Sequence, residues 1–125
     1  MSVDYLHMEG DEMAAEKGVF VGGATMLVLG LLSHRDMYGY EMIEELSSRS
    51  QNIFAFKTGT LYPLLHSLQR EGLLESYEQQ AKEGRVRKYY RITKMGRKAL
   101  EEQKTQWDGY TKAVNRVMKG GTQHA

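Results

Sequence analysis

The chain contains no cysteine. That excludes disulfide scaffolds, thiolate metal sites and cysteine nucleophiles, and it fits a reducing cytoplasm. It has a single proline, Pro63, and no Ser- or Gln-rich tract, which excludes a low-complexity chain. No apolar run reaches the ~20 residues of a membrane span; the longest, Ala24 to Leu32, has the length of a buried helix, so no membrane partner is expected. No GxSxG, HExxH, P-loop or GxGxxG pattern occurs, so catalysis has no motif to rest on. His7, His34, His66 and His124 are far apart. His66 has no second ligand one helical turn away, and no metal or other cofactor is expected.

What the chain does have is charge, unevenly spread. Its 125 residues, 41% apolar and 26% charged, fit one globular domain. The net charge is only +1. Residues 1–17 nevertheless hold Asp4, Glu9, Asp11, Glu12 and Glu16 against Lys17, an acidic start unlike an export leader. Lys82 to Lys98 holds Lys82, Arg85, Arg87, Lys88, Arg91, Lys94, Arg97 and Lys98 against Glu83 alone. A local basic stripe of this kind is the footprint of a polyanion-binding surface.

Patterning gives the order of elements. Residues 1–17 have weak periodicity and read as a mobile arm with a short helix over Glu12–Lys17. Val19 to Leu32 is apolar almost all round, the mark of a buried helix. Gly22, Gly23 and Gly30 imply close backbone approach or open space within it. Tyr38 to Ser48 places Tyr40, Ile43, Glu44 and Leu46 at helical spacing, with Met42 beside them. Ser47 to Asn52 reads as a polar loop, after which Ile53, Phe54 and Phe56 tuck onto the core.

A third helix begins near Thr58–Thr60, whose hydroxyls suit a helix start. It carries Leu61, Leu64, Leu65 and Leu68 on one face, tolerates Pro63 only in its first turn and stops at Gly72. A hairpin follows, Leu73 to Gln79 and Val86 to Thr93, turning at Gly84. On its second strand Lys88, Tyr90 and Ile92 share one face and Arg87, Tyr89 and Arg91 the other, with at least one of Tyr89 and Tyr90 in the core. Thr93 is a good N-cap for a last helix that runs to Met118. Three helices, a hairpin and a long helix make a mainly α fold with a small β-hairpin. It is a winged helix-turn-helix followed by a C-terminal dimerisation helix.

Two surfaces stand out. The third helix turns Gly59, Tyr62, Pro63, His66, Ser67 and Arg70 away from its leucines, and a helix-turn-helix lays such a face in the major groove. A solvated face is the bland alternative, but Tyr62 and Pro63 are odd choices for solvent alone. Lys82, Arg85, Arg87 and Lys88 at the hairpin tip are placed for phosphate or minor-groove contact beside it, unless they are simply solvated. On the last helix Leu100, Gln103, Trp107, Tyr110, Val114 and Val117 step by three and four residues, a heptad seam. The seam fits intramolecular packing or a dimer interface. The second is preferred, since such readers commonly need two half-sites.

Four segments together resemble the PadR family of bacterial transcriptional regulators, over about residues 24–107: Met37-Tyr-Gly-Tyr-Glu-Met42, Gly59-Thr-Leu-Tyr-Pro-Leu-Leu-His66, Leu68-Gln-Arg-Glu-Gly-Leu73, and Arg87-Lys-Tyr-Tyr-Arg-Ile-Thr93 followed by Gly96. The resemblance implies a homodimeric repressor on double-stranded DNA, with a palindromic operator and a cytoplasmic location. It adds Tyr38, Thr58 and Thr60 to the DNA-facing residues, and Phe20 and Leu27 to the dimer interface. In the multidrug-sensing branch a tryptophan on the last helix helps form a ligand pore. Trp107 stands at the matching place, which implies a small-molecule effector held by Gly23, Met26, Trp107 and Tyr110. An interface anchor with no effector is the other reading of Trp107. The chain departs from relatives at Val21-Gly-Gly-Ala24, where they carry larger side chains, and in its longer acidic arm.

The expected organisation is an arm over 1–17, a winged-helix domain over 18–92, a dimerisation helix over 93–119 and a tail over 120–125. A winged helix that binds a protein partner instead of DNA is the alternative.

Overall fold

The structure of the protein is a computed structural model and describes residues 23–120. The expectations for the arm, for Phe20 and Gly22, and for residues 121–125 lie outside the described residues.

Helix α1, Gly23–Leu32, buries Ala24, Val28, Leu29, Leu31 and Leu32. Gly30 has nothing within 4 Å of where a Cβ would stand, so it keeps space open. Strand β1, Met37–Tyr38, leads directly into α2, Gly39–Arg49. The Glu41 carboxylate accepts from the Tyr38 N–H at 3.2 Å, satisfying a donor at the helix entrance. The buried positions of α2 are Gly39, Met42 and Leu46. Tyr40, read from the sequence as part of the apolar stripe, is instead 58% exposed. The stripe is rotated from the expected one because a glycine occupies one of its places.

Between α2 and the next helix, Gln51 and Asn52 adopt left-handed backbone, φ 53 and 69. Phe56 is buried and Phe54 packs against the core, but Ile53 is 59% exposed; it does not tuck in as expected. Helix α3, Thr58–Arg70, buries Leu61, Leu65 and Leu68. Its N-cap is Lys57, with no side-chain cap, so Thr58 and Thr60 do not cap it. Pro63 is the sixth residue of α3, one turn later than expected. It leaves the Gly59 carbonyl without its helical donor, and Gly59 lies exposed where water can serve instead. At the C-terminus, Gly72 takes φ 82. Its N–H donates to the Gln69 carbonyl, and that of Leu73 to Leu68, each at 3.0 Å. This is the left-handed stop anticipated from the glycine.

Strands β2, Leu74–Gln80, and β3, Val86–Ile92, form the hairpin, turning at Gly84 with φ 87. The sheet has three strands in the order β1-β3-β2, all antiparallel, with Met37 opposite Tyr90 and Tyr38 opposite Tyr89. The two-residue β1 is too short for a periodic signal and was not expected. Tyr90 and Ile92 are core residues. Helix α4, Lys94–Gly120, is about 40 Å long. Thr93 caps it: the Gly96 N–H donates to Thr93 Oγ1 at 3.0 Å. The same hydroxyl donates to the Gly72 carbonyl at 2.6 Å.

One core joins all of these. Val28, Leu29, Leu32, Met37, Met42, Leu61, Leu65 and Tyr90 are fully enclosed, and burying each aliphatic side chain contributes roughly 1.5–3 kcal/mol. The helix pair α2–α3 with the hairpin behind it is a winged helix-turn-helix.

Candidate nucleic-acid interface

The leucines of α3 fix which side of it faces out. With Leu61, Leu65 and Leu68 buried, Thr58, Gly59, Tyr62, Pro63, His66 and Arg70 are exposed, while Thr60 and Ser67 are half-buried. The Ser67 hydroxyl donates to Glu71 at 3.4 Å. Tyr62 does more than face solvent: a Cβ on Gly39 would fall on its hydroxyl and ring. The ring therefore locks the start of α2 against α3 while its edge stays open.

The wing approaches the same place. Strand β1 covers β3 only at Tyr89 and Tyr90, so on that side β3 runs uncovered by β1 from Lys88 to Val86. A groove occupies the gap, lined by Tyr38, Gly39, Tyr40, Tyr62, Arg85, Arg87 and Lys88. Of the residues singled out at the hairpin tip, Arg85, Arg87 and Lys88 line it, whereas Lys82 is exposed in the turn outside it. Tyr38 is half-buried. Sequence spacing misses Tyr40, because its interval to Ile43 and Leu46 imitates a core position. Its exposure here comes from the packing of Gly39 on Tyr62, which no helical period reports.

Aromatic rings hold the wing's cations. The Arg87 guanidinium lies 4.5 Å from the Tyr38 ring centroid, within cation–π range. Tyr38 meets Tyr89 edge-on at 5.5 Å, and Tyr89 stacks on Tyr77 at 5.7 Å. The Arg91 guanidinium lies over the Tyr77 ring, 4.7 Å from its centroid. Tyr77 donates to Asp36 at 2.6 Å, and Arg91 pairs with Asp36 at 3.3 Å. Donation to Asp36, then burial, raises the Tyr77 phenol above its ordinary value. The Asp36 charge raises Arg91 as well. Burial first raises Tyr90. This row ties the wing to the segment between α1 and α2.

A second, apolar groove lies between α1, α2 and α4. Met26, Leu27, Leu31, Leu46, Phe54, Leu100 and Trp107 line it, with His34, Arg49 and Lys104 at its edge. It brings together Met26 and Trp107, two of the residues expected around a ligand. Gly23 is buried outside its lining. Tyr110 stacks on Trp107 at 5.8 Å. Along the heptad seam, exposure rises from 3% at Leu100 to 72% at Val117. Leu100 belongs to the core, and Leu27 is half-buried against it. Gln103 is half-buried, and its Oε1 has no hydrogen-bond partner among the described residues. Trp107, Tyr110, Val114 and Val117 lie on the exposed part of the helix.

Among the described residues, no group of His, Asp or Glu side chains is arranged to hold a metal ion, and no helix is long and apolar enough to cross a membrane.

Residues 28–102 match the transcriptional regulator PadR-like family. The chain is 36% identical over 99 residues to a transcriptional regulator of Mycobacterium tuberculosis, covering 77% of this chain and 85% of that protein. It superposes with a TM-score of 0.69 on a PadR-like transcriptional regulator from Bacillus cereus, at 34% identity over 78% of this chain and 93% of the other. A PadR family transcription regulator from Clostridium difficile gives 0.65, with 32% identity, 75% of this chain and 96% of that one.

Proposed function

Since this chain belongs to the PadR-like family of transcriptional regulators, we propose that it is a homodimeric repressor that reads a palindromic operator in the cytoplasm. The observation that carries this reading is the convergence of Tyr62, on the exposed face of α3, and the cationic edge of the wing on one groove. In the proposed complex Tyr62, Pro63, His66, Ser67 and Arg70, with Thr58 and Thr60 at the helix start, face the major groove. Arg85, Arg87 and Lys88, with Lys82 outside them and Tyr38 beside them, meet phosphates. Phosphate contacts set register and base contacts set sequence.

The winged-helix unit spans 18–92 and the helix over 93–119 pairs two copies. Support comes from the exposed seam of Trp107, Tyr110, Val114 and Val117, with Gln103 and Leu27 half-buried beside it. A pair so joined presents two α3 helices to successive major grooves about 34 Å apart. A small aromatic or apolar effector in the groove beside Met26 and Trp107, near Tyr110 and Gly23, would release the operator if it binds the DNA-incompetent spacing more tightly.

The test is fluorescence anisotropy of a labelled duplex from the gene's own upstream region, with a random duplex as control, at several salt concentrations. Tight upstream binding with a clear gap over random DNA is expected. Equal, weak binding to both removes sequence-specific regulation, and absence of binding at low salt turns the wing toward an acidic protein partner.

A further inference from the structure

Within the basic stretch Lys82 to Lys98 the only acidic residue is Glu83, and its carboxylate is not idle. The hairpin turn closes through Ala81 N–H to the Arg85 carbonyl at 2.7 Å and Gly84 N–H to the Ala81 carbonyl at 2.9 Å. Gly84 takes the left-handed backbone this closure requires. That geometry folds Glu83 back onto Arg87, and the two side chains pair at 2.5 Å. Arg87 is the cation that also lies against the Tyr38 ring in the groove. One face of the guanidinium is therefore covered by an aromatic ring, and its edge is offered to an oxyanion. Arg85 and Lys88 line the same groove; Glu78 stands across the hairpin from Lys88, but the ion pair at the groove is that of Glu83 with Arg87.

A guanidinium edge fixed in this way recognises carboxylate and phosphate through the same donors. We propose that the Arg87 edge, with Arg85 and Lys88 beside it, is a binding site for one backbone phosphate of duplex DNA, and that Glu83 occupies it in the free protein as an internal stand-in. DNA binding exchanges the carboxylate for the phosphate, which offers the same single charge shared by two oxygens and adds the release of condensed counterions. Exposed ion pairs are weak, so the exchange is easy. Its effect is to keep the wing in a binding-ready geometry while lowering its affinity for any polyanion that offers only charge. This inference rests on the DNA-binding reading above.

The experiment measures anisotropy of a labelled random-sequence duplex with wild type, Glu83→Gln, Arg87→Ala and the double variant, across a salt series. Glu83→Gln is expected to bind roughly two- to fivefold more tightly at low salt, the range that one exposed ion pair commands. Its salt slope should steepen by no more than about 0.9. In the Arg87→Ala background the same substitution should gain little. Unchanged or weaker binding of Glu83→Gln would overturn the proposal and leave Glu83 as a support for Arg87. An equal gain in both backgrounds would overturn it too, by reducing the effect to net charge. If neither wild type nor Glu83→Gln binds duplex at low salt, the DNA reading itself fails and the proposal falls with it. Wild-type binding with no change on Glu83→Gln sinks the proposal alone.

Discussion

The Tyr62 hydroxyl fills the space that a Cβ on Gly39 would need. The glycine and the tyrosine are thus one packing unit, joining the first turn of α2 to the exposed face of α3. Gly39→Ala should destabilise the protein by about 1–3 kcal/mol, the usual range for a forced overpacking. Tyr62→Ala should absorb most of that penalty when the two are combined. Urea unfolding of the four members of the cycle measures the coupling; additive effects would mean that Tyr62 moves aside freely.

Arg87→Ala with Lys88→Ala should weaken binding to operator and random duplex alike. For every phosphate the wing ceases to neutralise, the salt slope should flatten by about 0.9. A titration series from low to high salt reads both. An unchanged slope would take the wing off the DNA.

His66 stands at the middle of the exposed face of α3, away from the wing. His66→Ala should narrow the gap between operator and random DNA by about 1–3 kcal/mol, the range for removing one base-reading side chain. Random-duplex affinity should hardly move. Parallel losses on both duplexes would make His66 a backbone-binding residue.

Val114 and Val117 lie on the exposed part of α4, whereas Leu100 sits in the core. Val114→Glu with Val117→Glu should therefore shift sedimentation toward monomer and leave the thermal transition of the winged-helix unit in place. Leu100→Glu should instead lower the stability of the fold itself, since an unpaired charge in an apolar site is costly. A dimer that survives the double substitution would put the interface elsewhere.

The Tyr77 phenol is raised because it donates to Asp36, so the fold favours its protonated form. That contribution is complete below the unfolded phenol value near 10 and is lost as pH rises through the higher folded value. Between about pH 9 and pH 11, wild type should lose more stability than Tyr77→Phe. Tyr90, raised by burial, contributes equally to both. Chemical denaturation at stepped pH separates them, and parallel curves would remove Tyr77 from the alkaline limb.

Leucine spacing makes α3 legible: Leu61, Leu65 and Leu68 repeat with the helix, and the exposed face follows by subtraction. Gly72, Gly84 and Thr93 are legible for a different reason, since a left-handed stop, a tight turn and a hydroxyl cap each demand particular residues. The errors occur where a long-range contact overrides local pattern. Tyr40 fits a helical stripe and is displaced from it by Gly39 packing on Tyr62. Ile53 is apolar but follows two left-handed residues that carry it outward. Strand β1 exists only through its pairing with β3, a partner some 50 residues away. In the groove, the basic residues can be named from sequence but the grip of Tyr38 and Glu83 on Arg87 cannot, because it depends on how the turn closes.

The joint at Thr93 has a mechanical consequence. Its hydroxyl reaches the carbonyl that ends α3 and the amide that begins α4, and its own N–H donates to the Leu73 carbonyl at 3.1 Å. A Cβ on Gly96 would fall on that same Leu73 carbonyl, so the contact has no slack. Helix α4 is therefore a stiff lever with its fulcrum at the foot of α3. A torque applied near Val117 arrives at the foot of α3 without a compliant loop to dissipate it.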